Sequence, residues 1–130
     1  MAQWPPANHT SASIYLSANG SLSWTAPGTG KSFSEYISDP AHPVPYTEDV
    51  HHGRTREYMT DDQRFASRRP DVLTFETNVL DNDMTLAGPV IADLLTSIST
   101  TDADFVVKII DVFADGFRYT NSGTYPMGGY

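Results

Sequence analysis

From Val72 to Val79 the side chains alternate: Leu73, Phe75, Thr77 and Val79 fall on one face of an extended chain, and Val72, Thr74, Glu76 and Asn78 on the other. A period of two with one wet face describes a half-buried antiparallel strand. No segment carries the i, i+3, i+4, i+7 apolar pattern over three turns, whereas short extended segments recur along the chain with turn chemistry between them. That organisation predicts an all-β sandwich.

The remaining segments fit the same scheme. Ser13–Ser17 and Leu22–Thr25 read as two strands of a hairpin, with Asn19-Gly20 at the centre of the turn. Ala26–Lys31, with one proline and two glycines, is predicted as loop, and Phe33–Ser38 as extended again. Asp39–Asp61 is broken by Pro40, Pro43, Pro45 and Gly53 and shows little periodicity, so it reads as a long surface loop. A loop of that length in a compact domain usually has a job or is disordered. After a turn at Asp81-Asn82-Asp83, Met84–Ala87 is extended, Gly88-Pro89 is a break, and Val90, Ala92, Leu94, Thr96 and Ile98 share a face. Phe105–Phe113 is apolar on both faces except for Lys108 and Asp111, which predicts a central strand covered on both sides. Its five Val and Ile residues argue against a buried helix. A turn at Asp115-Gly116 and a strand from Phe117 to Thr120 follow. Trp4-Pro5-Pro6 marks an extended lead-in, because proline fixes its own φ and keeps its predecessor out of helix.

Composition narrows the function classes. A chain of 130 residues with 39% hydrophobic content suits one domain and one core. The formal charge of −8 argues against a nucleic-acid partner, since a phosphate backbone needs a basic face to displace its counterions. No apolar run is long enough to span a bilayer, so no membrane partner is expected. There is no cysteine, hence neither a disulfide framework nor thiolate-bound zinc. The first ten residues carry no basic region followed by an apolar run and do not read as a secretory signal, which leaves the compartment open.

Candidate chemistry is sparse. No G-x-S-x-G occurs, so no serine is predicted on a nucleophile elbow and no catalytic residue is assigned. Glu48, Asp49, His51 and His52 can be drawn as an acid–base or metal cluster, but adjacent histidines on an extended chain point to opposite sides, and a solvated loop is the better reading. Asp81/Asp83 and Asp102/Asp104 lack the glycine and distal glutamate of a calcium loop and read as turns. No metal and no cofactor is predicted. Arg64, Arg68 and Arg69 beside Asp61, Asp62 and Asp71 are set for bidentate ion pairs that anchor a loop against a neighbour. Lys108 and Asp111 fall on opposite faces of their strand, so each needs its own partner if buried.

Three blocks, SLSWTAP with SEYISDPAHPVPY, then DDQRFASRRPDVLTFETNVL, then AGPVIADLLTSISTTDADFVVKIIDVFADG, together cover about two thirds of the chain. In this order they resemble the C-terminal domain of the X-prolyl dipeptidyl-peptidase, cocaine esterase and α-amino-acid ester hydrolase family, which also includes glutaryl cephalosporin acylases. The tryptophan of SLSW and the form of DDQRF are most similar to the α-amino-acid ester hydrolase branch. The resemblance implies a galactose-binding-domain-like jelly-roll β-sandwich over residues 13–130, incomplete at its C-terminal end, behind a linker at 1–12. It also implies a serine hydrolase whose Ser-Asp-His triad stands in a separate α/β-hydrolase domain of the same protein. This chain then supplies none of the catalytic residues. Its share is cleft shape, packing on that domain and subunit association as a homo-oligomer, with a small ester, amide or peptide as substrate of the whole enzyme. The loop before the D-Q-R segment approaches the active site in such enzymes, which makes Tyr58 and Met59 candidates for the pocket wall. Arg64, Arg69 and Asp62 become loop-anchoring and interdomain residues. The rival reading is a stand-alone β-sandwich module for carbohydrate or another ligand, which needs an exposed aromatic platform; Trp4 and Trp24 are the candidates.

Overall fold

A computed structural model describes residues 9–30 and 32–114. The Trp4-Pro5-Pro6 lead-in, the turn at Asp115-Gly116 and the strand expected from Phe117 lie outside the described residues. The described chain is mostly non-helical and built around an antiparallel sheet, consistent with the all-β expectation.

That sheet is the hairpin legible in the sequence. Strands β1 (Tyr15–Ser17) and β2 (Ser21–Ser23) pair antiparallel with Leu16 opposite Leu22. The Asn-Gly pair turns the chain: Asn19 has φ 63° and Gly20 φ 72°, both in the left-handed region that asparagine tolerates and glycine enters freely. The Ser21 hydroxyl donates to the Ala18 carbonyl at 3.1 Å and tightens the turn.

The alternating segment meets this hairpin at one point. The Glu76 amide donates to the Gly20 carbonyl at 2.9 Å, and the Leu22 amide donates to the Glu76 carbonyl at 2.7 Å. These bonds make a single parallel bridge between Ser21 and Glu76, so the antiparallel strand expected over Val72–Val79 is not formed among the described residues: its one partner runs the other way and pairs at one residue. Around it the predicted alternation survives locally, with Phe75 and Thr77 half-buried and Glu76 exposed.

Two single-turn helices interrupt the irregular chain, α1 (Glu57–Thr60) at the end of the predicted long loop and α2 (Arg64–Ser67) inside the D-Q-R segment. They are too short for a helical period to register in the sequence. The first ends where Asp61 turns extended, with its amide still bonded to the Glu57 carbonyl at 3.0 Å. In the second, the Ser67 amide donates to Gln63 at 3.0 Å, and Pro70 stands where a continuing helix would need a donor.

The structure departs from expectation in the later segments. Phe33–Ser38, Met84–Ala87, Val90–Ser99 and Phe105–Phe113 form no ladder among the described residues. Phe105–Phe113 is not covered on both faces: Val106 is 74% exposed and Ile109 61%. A central strand takes its cover from neighbours on both sides, and the described residues supply only the small hairpin sheet. Val90–Ser99 keeps a trace of its predicted face, since Leu94 is 38% exposed while the adjacent Leu95 is fully exposed. Among the described residues only Ala66 and Thr47 are buried, both in the region of α1 and α2. No described helix is long and apolar enough to cross a membrane.

Candidate functional site

The densest set of interactions in the described chain gathers around Lys108. Its ammonium group donates to the Gln63 side-chain carbonyl at 2.7 Å and to the Tyr46 backbone carbonyl at 2.9 Å. It also lies 4.2 Å from the centroid of the Tyr46 ring and 6.0 Å from that of Phe65, within range of cation–π attraction. The Tyr46 ring stacks on Tyr58 with centroids 5.2 Å apart. Partial burial pushes the Lys108 pKa down, and the nearby Asp61 carboxylate opposes that shift. Two oxygen acceptors and an aromatic face replace much of the water such a cation gives up. Asp111, on the same segment, instead lines a separate surface concavity with Leu80, Asp81, Asn82, Asp83 and Met84.

A second tie lies beside the first. The Glu48 amide donates to the Asp61 carboxylate at 2.8 Å, and the Gln63 amide group donates to the Asp61 carbonyl at 2.9 Å. The chain between Glu48 and Asp61 therefore leaves and returns at one place, with Tyr58 folded back on Tyr46 before the return. Just before that loop Thr47 is buried, and its hydroxyl donates to the Asp49 carbonyl at 2.8 Å.

The arginines are placed by local carboxylates. Arg64 forks onto Asp62 with Nε 2.7 Å from Oδ2 and a second, shorter contact from Nη2. The Asp62 carboxylate also takes the Arg64 amide at 2.9 Å, and the Arg64 guanidinium holds its pKa below the ordinary carboxylate value. Arg69 forks onto Asp71 at 2.8 and 2.6 Å and reaches the His42 carbonyl at 3.0 Å, 27 residues away in sequence. Glu48, Asp62, Arg64, Phe65 and Arg68 line an open concavity of about 410 Å³.

Of the residues singled out from sequence, Tyr58 is half-buried on Tyr46, whereas Met59 is 81% exposed. Asp62 and Arg64 pair with each other, and Arg69 ties the D-Q-R segment to the start of the long loop. Among the described residues no three His, Cys, Asp or Glu side chains stand close enough to hold a metal ion. Trp24 is half-exposed. Tyr46 and Gln63 were not legible as site residues: one lies in a proline-rich stretch and the other in a turn. The signal that leads to them is the lone cation at Lys108, whose partners turn out to be neutral oxygens and rings rather than a carboxylate.

Residues 1–125 match the family described as the X-Pro dipeptidyl-peptidase C-terminal non-catalytic domain. The chain belongs to that family. It is also 34% identical over 122 residues to the cocaine esterase of Rhodococcus sp. (strain MB1 Bresler), an alignment that covers 87% of this chain and 21% of the esterase. The chain thus spans about a fifth of the length of that relative. No solved structure matches. Membership makes the chain a non-catalytic domain of a peptidase and esterase family. The contacts of Lys108 and Arg69 join distant segments of the chain to one another.

Proposed function

We propose that this chain is the accessory jelly-roll domain of a serine hydrolase, packing on an α/β-hydrolase catalytic domain of the same protein and helping to shape its active-site cleft. The observation that carries this reading is the family match over residues 1–125. Residues 13–130 form the sandwich and 1–12 the linker. The loop closed by Glu48 and Asp61 carries the aromatic part of the cleft wall, Tyr58 facing inward on Tyr46 and the exposed Met59 presented outward. On this reading Asp62, Arg64 and Arg69 are the interdomain residues, Asp62 and Arg64 pairing just after the loop returns and Arg69 anchoring the segment to His42. The complete enzyme cleaves small esters, amides or peptides by acyl-enzyme chemistry, with nucleophile, base and oxyanion donors all contributed by the catalytic domain.

The test is complementation. The chain alone should leave a p-nitrophenyl aminoacyl ester untouched. Mixed or co-expressed with the upstream catalytic portion, it should restore turnover that the catalytic portion lacks alone. Hydrolysis by the isolated chain with a trapped seryl adduct, or a catalytic portion indifferent to its presence, would overturn the reading. A positive glycan panel would favour a binding module instead.

A further inference from the structure

Among the described residues Lys108 makes the side-chain hydrogen bonds of longest sequence range, 62 residues to Tyr46 and 45 to Gln63. It sits where the two ends of the Glu48–Asp61 loop converge. One partner, Tyr46, lies just before the loop leaves; the other, Gln63, lies just after it returns. The loop is short enough, and its ends close enough, to act as a compact unit of the kind whose shape is set by its base and its own side chains. The Glu48–Asp61 bond closes the base from within, but Asp61 is the only side chain in that bond and the contact is exposed. The ammonium group adds what the loop cannot supply itself: one donor to each end, together with a positive charge under the Tyr46 ring on which Tyr58 stacks.

We propose that Lys108 is a positioning residue, a cationic strut that holds Tyr46 and Gln63 together and so fixes the stacked Tyr46–Tyr58 pair as a rigid wall. Its effect on substrate rests on the accessory-domain reading above; its effect on the loop does not. The residue type follows from the geometry. An apolar side chain of equal length would keep the stem but leave two acceptors without a donor. A carboxylate would face the two carbonyl oxygens and the negative face of the ring. Arginine keeps the charge and more donors than the site uses.

Hydrogen exchange on the full chain reads the strut directly. In Lys108→Met, the amides of Glu48, Met59 and Asp61 should exchange about tenfold faster, the scale of one lost hydrogen bond to a charged group, while those of Leu22 and Glu76 in the hairpin should not change. Lys108→Arg should restore most of the protection. Gln63→Leu, which removes one acceptor of Lys108 and also the donor to the Asp61 carbonyl, should loosen the same amides to a comparable extent. If Lys108→Met and Gln63→Leu both leave the loop amides unchanged, or both loosen hairpin and loop alike, Lys108 is not a strut for this loop and the proposal is overturned. Kinetics in the full-length protein test the consequence. Lys108→Met should raise KM for an aromatic aminoacyl ester several-fold with kcat within about twofold, and Lys108→Arg should reverse the rise. A loosened loop with an unchanged KM would leave the strut standing and remove the loop from the cleft wall. A raised KM without any change in loop exchange would overturn the strut.

Discussion

The two arginine–carboxylate forks differ in what they join. Asp62 and Arg64 are two residues apart and fold the D-Q-R segment onto itself, whereas Arg69, already paired with Asp71, spends a further N–H on the His42 carbonyl of a distant loop. A planar guanidinium can serve a carboxylate and a carbonyl at once; a lysine ammonium cannot reproduce that fork. Arg69→Lys should therefore release the Asp39–Thr47 stretch, seen as faster exchange of the Ala41 and His42 amides, with little change at the hairpin. The same residues predict an acid limb. Asp71 is held below its ordinary value of 3.8 first by the hydrogen bond from Arg69, Asp62 first by that from Arg64, and Asp39 first by that from His42. Because each native pKa is depressed, each contribution is complete above 3.8 and is lost as pH falls through the lowered value. Loop protection should thus hold from neutral pH down to about 4 and decline below it. In Asp71→Asn that decline should be shallower, and exchange measured across pH 2 to 6 checks it. Asp39 is half-exposed whereas Asp62 and Asp71 are largely covered, so added salt should weaken the Asp39 contribution most.

At the scale of elements, the hairpin turn is the point where the sheet and the alternating segment meet. A β-carbon built on Gly20 would stand 3.0 Å from the Thr74 carbonyl oxygen, and the residue has φ +72°. Both space and backbone therefore demand glycine there. Gly20→Ala should cost about 1–2 kcal/mol of local stability and release the Glu76 amide from its bond to Gly20, whereas Asn19→Gly should be close to neutral. Exchange rates at Leu22 and Glu76 separate the two outcomes. This turn was legible in sequence because its cause is local: two adjacent residues that tolerate left-handed backbone. The alternation near Phe75 was legible for the same reason, a period contained in a few residues. The bridge from Glu76 to Ser21 was not, since nothing in either segment names the other. The two helices escaped because one turn carries no period. Phe105–Phe113 is the instructive case. Its composition announces burial, but burial is supplied by other elements, and among the described residues Lys108 and Phe113 are the best covered on it while Val106 and Ile109 stay exposed. The charge that interrupts this apolar run was a truer pointer than the run itself, because an isolated cation must find oxygen or an aromatic face wherever the segment comes to lie.

For the whole molecule, the exposure of large apolar side chains among the described residues decides how stability must arise. It runs along two segments, Val90, Ile91 and Leu95 in one and Val106, Val107 and Ile109 in the other. At about 25 cal/mol per Å² of apolar surface, such a chain forgoes most of the burial that offsets its ordering entropy. Hydrogen bonds at the loop base do not replace it, each contributing about 1 kcal/mol net. The isolated chain should consequently unfold in urea over a broad range with a small m-value, and far-ultraviolet dichroism and tryptophan fluorescence should not trace the same transition. A sharp, monomeric, probe-independent transition would contradict this. Supplying the catalytic portion should move the same chain to a steeper transition at higher urea, because burial at an interdomain surface is linked to folding by mass action. The residues that gain exchange protection on mixing then name the docking face. Protection concentrated on Val90–Ile98 and Phe105–Val112, rather than on the loop base, would mean that the apolar segments bind the neighbour while the Lys108 cluster shapes the cleft beside it.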